Sequence, residues 1–167
     1  MPIVFTSKSF AVEVTTTRSP SGRTHETAIV RHMPAVVILP ITDAGRVVLI
    51  RQFRPSVNEE LWEVPAGSLK DGEEPEEGAR RECEEETGLV PGQLVRLCAH
   101  YPAPGFCDER LIFYKATALT PASPDSTRHP DDDEEIEVRE VTVAEAKSMV
   151  ARGEIKDLKT AYALSLV

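Results

Sequence analysis

The chain has no apolar stretch approaching the roughly 18 residues that a bilayer span requires, so no segment reads as a transmembrane helix. Its start, Met1 to Phe10, has neither the basic opening nor the apolar run of a secretory signal. Cysteine is scarce. Cys83, Cys98 and Cys107 are odd in number and form no CxxC pair, which argues against a disulfide framework and leads us to expect reduced thiols in a cytoplasm. Basic residues are outnumbered: 19 Lys and Arg face 28 Asp and Glu, a net charge of −9. That balance argues against a nucleic-acid backbone as partner. It leaves room for a small phosphorylated ligand, because a bound cation reverses the local field. Internal repeats are absent too. What remains is 167 residues, 41% hydrophobic and 28% charged, the size and composition of one ordinary domain with a real core.

Residues 10–17 (FAVEVTTT) and 24–31 (THETAIVR) read as two strands around a Ser19–Gly22 turn. An isolated hairpin is marginal in water, so this one is expected to pack on something else, a second subunit being one candidate. From Pro34 onward the chain is more apolar. AVVILPIT (35–42) and VVLIRQFR (47–54), joined by a turn at 43–46, read as a central hairpin. LWEVPAG (61–67) reads as a short strand ending in a Pro and Gly break, 74–87 as a helix, and 94–101, 110–119 and 136–141 as further strands. Residues 121–135, rich in Pro, Ser and Asp, read as a surface loop. Thr142 with Glu145 forms a capping box that opens a helix, Gly153 ends it, and 157–166 is a last short helix. Strands and helices mix without strict alternation. The expected fold is therefore α+β, a mixed sheet between helices (α/β/α sandwich-like). Residues 1–33 are expected to form a β extension and 34–167 the main domain.

The segment Gly67 to Leu89, GSLKDGEEPEEGARRECEEETGL, carries the chemistry. Pro75 suits a first helical turn and Gly88 a helix end. Glu73, Glu74, Glu76 and Glu77 favour the positive end of the helix dipole. Glu82, Glu84, Glu85 and Glu86 crowd its negative end, and Glu82 with Glu86 is a like-charged i,i+4 pair that repels by about 0.2–0.5 kcal/mol. Carboxylates thus stand where an isolated helix least favours them. One reading is a solvated acidic face; the other is a site for a hard divalent cation, which takes oxygen ligands and keeps several waters.

The fixed spacing separates the two. A glycine, five residues, a glutamate, seven residues, then Arg-Glu-apolar-any-Glu-Glu-any-Gly-apolar is the Nudix box. Here its places are filled by Gly67, Glu73, Arg81, Glu82, Cys83, Glu85, Glu86, Gly88 and Leu89. Cys83 stands where a larger aliphatic residue is commoner; it is still a small hydrophobe. The resemblance extends over nearly the whole chain and favours the ADP-ribose pyrophosphatase branch. Arg51-Gln52-Phe53-Arg54 and Leu61-Trp62-Glu63-Val64-Pro65-Ala66-Gly67 resemble that branch's lead-in. Pro104, fifteen residues past Leu89, occupies the place of its marker proline. The run Pro104 to Glu109 resembles its loop at the terminal ribose, and Asp132 to Val138 its mobile acidic loop. Gly153 to Asp157 resembles the turn between its last helices.

What the resemblance implies can be stated by residue. Glu82 and Glu86 would ligate Mg2+ or Mn2+, two or three ions, with Glu85 beside them and the Ala66 carbonyl as a further ligand. Arg81 would hold the glutamates through charge-assisted bonds. A carboxylate of the acidic loop, Glu134 with Glu135 in reserve, would complete a metal shell or accept the proton of the attacking water, and Glu85 is the alternative base. Arg54 would bind substrate. Arg51, three places earlier on a strand, points to the opposite face, so at most one of the two is expected at the site. Glu109 would bond ribose hydroxyls, although Pro104-Gly105 also reads as a plain turn. The four histidines share no ligand spacing and read as structural or exposed.

The expected activity is hydrolysis of the pyrophosphate bond of a nucleoside diphosphate derivative, ADP-ribose giving AMP and ribose 5-phosphate. Alternatives are the same chemistry on a nucleotide sugar or dinucleotide, or a nucleotide-sensing module that does not cut. A sensor would be expected to have lost a box glutamate, and none is lost. Related enzymes exchange an N-terminal segment across a two-fold axis, which implies a homodimer.

Overall fold

The computed structural model of the chain describes residues 2–130 and 135–167. In order, the elements are β1 (Ile3–Thr6), β2 (Phe10–Arg18), β3 (Thr24–His32), β4 (Ala35–Pro40), β5 (Arg46–Arg54), β6 (Glu59–Glu63) and β7 (Ala66–Ser68). Then come α1 (Pro75–Thr87), β8 (Leu89–His100), β9 (Leu111–Pro121), β10 (Glu137–Thr142), α2 (Val143–Ala151) and α3 (Leu158–Ser165). The fold is α+β, as the mixture of periods in the sequence implies.

The strands form three sheets: β1-β2-β3, β10-β5-β6 and β7-β4-β9-β8. In the last, β4 runs parallel to β9, and the β4–β7 and β8–β9 pairs are antiparallel. Every residue of β4 is buried, because both its faces are covered. Val36 and Ile38 pack with Ala79 and Cys83 of α1. Val37 and Leu39 pack with Val47 and Leu49 of β5 and with Met149 and Leu164 of α2 and α3. A strand covered on both sides needs apolar residues at every position, not at alternate ones. The same alternation splits β9, with Ile112 and Tyr114 toward α1 and Phe113 toward α3.

Two sequence expectations change. The 35–42 and 47–54 segments are not a central hairpin: they touch at one bridge, Ile41 to Val47, and then diverge into different sheets. Divergence lets their apolar faces oppose each other across the core, a gain that edge-to-edge pairing does not offer. Likewise 61–67 is two strands. β6 pairs with β5, and β7, beyond Pro65, pairs with β4. The chain therefore crosses from one sheet to the other at Val64-Pro65, immediately before Gly67.

Helix α1 begins with Pro75 in its first turn and ends at Gly88, whose φ of 69° suits glycine and whose N–H bonds the Glu84 carbonyl. Helix α2 is capped as expected, the Thr142 hydroxyl accepting from the Glu145 N–H at 3.1 Å. Helix α3 is capped by Asp157, whose Oδ2 accepts from the Thr160 N–H and hydroxyl at 2.9 and 2.6 Å. Fully buried Thr160 also accepts from the Val64 N–H at 2.8 Å, fastening α3 to the crossing segment. Thr160→Val keeps the shape but strands that buried N–H. It is expected to lower the unfolding free energy by about 1–3 kcal/mol, read as a shift in the denaturant midpoint at unchanged slope.

Candidate active site

Between β7, α1, the start of α3 and the ends of β8 and β3 lies a cavity of about 960 Å³. Its floor is built by a close approach of α1 to β7. A Cβ placed on Gly67 would stand 2.2 Å from the carboxylate of Glu82, so only glycine lets that carboxylate close on the strand. One helical turn on, Glu86 Oε2 accepts from the Ala66 N–H at 2.9 Å. Helix and strand are thus joined through the glutamates themselves.

Arg81 organises this end of the helix. Its Nε and Nη2 form a fork on Glu73 at 2.7 and 2.8 Å, and Nη1 reaches Glu82 at 2.5 Å and Glu85 at 2.8 Å. Nη2 also bonds the Ser68 carbonyl at 3.2 Å. With only 8% of its surface exposed, Arg81 is not the weak surface ion pair that a lone Arg–Glu contact usually is. Its hydrogen bonds to Glu73 hold that carboxyl at about 2, with burial opposing and the Lys70 N–H assisting.

A second charged network borders the cavity. Glu63, 1% exposed at the end of β6, accepts a fork from Arg54 Nε and Nη2, both at 2.7 Å, and a bond from Lys159 Nζ. Lys159 also pairs with Asp157 at 3.1 Å. Burial pushes the Glu63 carboxyl up, but the Arg54 bonds and the charge of Lys159 outweigh it and leave it below the usual range. Arg54 spends two of its five N–H donors on this fork and lines the cavity.

Comparison with known proteins agrees with this geometry. Residues 31–162 match the NUDIX domain. The chain belongs to the NUDIX family. It is 39% identical to the ADP-ribose pyrophosphatase of Bacillus subtilis (strain 168) over 96% of this chain and 86% of that one. It is 40% identical to the GDP-mannose pyrophosphatase of Pectobacterium atrosepticum over 75% of this chain and 67% of that one. In fold it resembles a solved ADP compounds hydrolase with a TM-score of 0.84, at 24% identity, over 99% of this chain and 88% of the other. The chain is a Nudix pyrophosphohydrolase.

The donors of this Nudix site suit a hard divalent cation. Glu82, Glu85 and Glu86 carry carboxylate oxygens on α1, of which Glu82 and Glu85 line the cavity and Glu86 does not; Ala66 lies on the adjoining strand, and Gly67 leaves the space into which Glu82 folds. Among the described residues no group of three His, Cys, Asp or Glu side chains is placed to hold a metal ion by itself. Mg2+ does not need one, since it keeps waters and shares substrate oxygens. Cys83 takes no part: burial pushes its thiol up to about 12, so it stays protonated in the core.

The other expected residues scatter. Glu85 and Glu109 line the cavity, Glu109 lying 3.7 Å from His32 Nδ1. Arg51 does not line it; its guanidinium pairs with Glu60 and with Glu137 and lies 5.8 Å over the Trp62 ring. Glu134 lies outside the described residues, and Glu135, exposed before β10, is not among the cavity-lining residues. His32 and His100, which read as structural or exposed, both line the cavity. His100 Nε2 is 2.8 Å from the Tyr162 hydroxyl. Glu63 and Lys159 were also missed. A lone acid in the apolar run LWEVP was a usable signal for Glu63; Lys159 had none.

The Arg81–Glu73 fork has a pH signature. The Glu73 carboxyl titrates near 4.5 when unperturbed and is held at about 2 in the fold. Its contribution to stability is complete above 4.5 and is lost as the pH falls through 2. Glu73→Gln is expected to lower the denaturation midpoint at neutral pH. Comparing the two proteins in an acid series should show that difference shrinking between pH 4.5 and 2; a constant gap means the ion pair is not its source.

Proposed function

We propose that the enzyme hydrolyses ADP-ribose to AMP and ribose 5-phosphate with Mg2+ or Mn2+, two or three ions. The observation that carries the reading is the packing of Glu82 and Glu86 onto Gly67 and Ala66 at the cavity floor. Glu82, Ala66 and Gly67 border the cavity, and Glu86 packs directly behind Ala66. The similarity to an ADP-ribose pyrophosphatase over nearly the whole chain supports the substrate.

In this reading Glu82, Glu86 and the Ala66 carbonyl hold the cations. When bound, they supply positive charge to the phosphoryl oxygens and lower the pKa of water. Arg81 fixes Glu82 and Glu85 so that no reorganisation is needed during the reaction. Arg54, steadied by Glu63, binds a substrate phosphate, and Glu109 bonds ribose hydroxyls. Glu134 or Glu135, or failing them Glu85, accepts the proton of the attacking water as the bridging P–O bond breaks and the proximal phosphate leaves with its oxygen. A nucleotide sugar is the second reading, favoured by the similarity to GDP-mannose pyrophosphatases.

We also propose a homodimer in the cytoplasm, joined through residues 1–33. Ile3, Val4 and Phe5 of the edge strand β1 are all more than half exposed, an apolar edge that a second copy would cover. Light scattering is expected to give twice the chain mass, and a monomer at working concentration counts against this.

The catalytic reading is tested by turnover. A chelator is expected to abolish hydrolysis and Mg2+ or Mn2+ to restore it. Glu86→Gln is expected to cut kcat by about a hundredfold or more with the fold retained. A near-parental rate for that variant refutes the ligand role. A panel of ADP-ribose, nucleotide sugars and dinucleotides decides between the substrates by kcat/KM.

A further inference from the structure

One side of the cavity is mainly aromatic and apolar. His100 ends β8 and Tyr101 follows it; Phe113 lies on β9, and Leu158 and Tyr162 lie on α3. All five line the cavity. Leu158 and Tyr162, four residues apart on a helix, share a face. The Tyr162 ring meets Phe113 edge to face, with centroids 5.1 Å apart and planes at 75°, and meets His100 at 5.1 Å and 87°. His100 and Phe113 are 6.3 Å apart. Aromatic pairs prefer such arrangements, so the three rings fix one another.

The polar tips of the cluster are spent within it. The Tyr162 hydroxyl lies 2.8 Å from His100 Nε2 and 3.8 Å from Cys98 Sγ, so what Tyr162 and His100 offer a ligand is chiefly ring surface. Phe113, 2% exposed, backs them, whereas Tyr101 is 58% and Leu158 70% exposed. A single exposed apolar side chain needs no explanation. Several around one cavity mark a seat for the apolar face of a ligand. A nucleoside diphosphate compound has one such face. Its phosphates require positive charge, as the box cations and Arg54 would supply, and its sugars require hydroxyl partners such as Glu109. Only the base has flat, apolar faces.

We propose that His100, Tyr101, Leu158 and Tyr162 form the seat of the substrate's nucleobase and so determine specificity for nucleotide-containing diphosphates. The inference rests on the reading that a nucleotide compound is hydrolysed at the box. Stacking on aromatic rings tolerates any base, since every base has a π-face, and the loss of one ring from such a platform weakens binding about five- to tenfold. The base is remote from the bond that breaks and is held alike in the ground and transition states. The loss is therefore expected in KM and not in kcat. A compound without a base gains nothing from this wall.

The test compares Tyr162→Leu with Tyr162→Phe, which removes the hydroxyl but keeps the ring. Each is measured for kcat and KM with ADP-ribose and Mg2+, for competitive inhibition by AMP and by ribose 5-phosphate, and for melting temperature. Tyr162→Leu is expected to raise KM and the AMP inhibition constant together, about five- to tenfold, while inhibition by ribose 5-phosphate does not weaken in step. Tyr162→Phe is expected to recover most of the lost AMP affinity. An equal loss for AMP and ribose 5-phosphate overturns the proposal, since the wall then holds sugar or phosphate. So does a Tyr162→Phe protein as weak as Tyr162→Leu, or parental AMP inhibition in Tyr162→Leu, including a case where only a dimer is lost. If Tyr162→Leu does not fold, Leu158→Ser, at a residue already 70% exposed, carries the comparison: a loss confined to AMP supports the seat, and parental AMP inhibition overturns it. If the parent cleaves a nucleotide sugar but not ADP-ribose, the same comparison runs with that compound and its nucleoside monophosphate. A parent that cleaves no nucleotide compound of the panel overturns the underlying reading, and the proposal with it.

Discussion

The charge of Arg81 is the condition on which the rest of the site depends. Glu82, Glu84, Glu85 and Glu86 crowd the last turns of α1, where the helix dipole is negative and no basic residue follows. One guanidinium, nearly buried, draws Glu73, Glu82 and Glu85 together and bonds the Ser68 carbonyl. It thereby turns mutual repulsion into a fixed cluster and joins helix, box loop and β7 in one piece. The charge is still incomplete: several carboxylates face one arginine.

The neighbouring network applies the same logic with two cations matched by two acids. Buried Glu63 collects Arg54 and Lys159, and Asp157 adds a second acid to Lys159 while capping α3. A carboxylate as buried as Glu63 costs several kcal/mol in lost hydration, a cost that the Arg54 fork and the Lys159 charge offset. The network stands at the point where the chain crosses from one sheet to the other. Electrostatics and topology therefore hold the approach to Ala66 and Gly67 together. The acidic box and the basic border face one cavity, an arrangement suited to a ligand that carries both phosphate and hydroxyl groups.

Much of this is legible in the sequence. Helix α1, its Pro75 start and Gly88 end, and the Thr142 cap follow from local rules that act within a few residues. So does the grouping of Glu82, Glu85 and Glu86, because helical spacing fixes which side chains share a face. The opposite orientation of Arg51 and Arg54 follows from strand alternation. The apolar run of β4 was visible too, but it reads equally well as half of a hairpin.

The sequence by itself determined the chemistry at hand: a rigid helix that presents carboxylates at fixed intervals, a glycine where one of them must close on the backbone, and an arginine among them. Short-range geometry suffices for each. Only the tertiary structure decided that β4 and β5 part into separate sheets, that buried Glu63 takes the Arg54 fork, that His32 and His100 line the cavity, and that Glu84 faces a loop. Each of these depends on which distant segment arrives opposite a side chain. That is settled by burying apolar faces on both sides of β4, a property of the whole chain that no local spacing records.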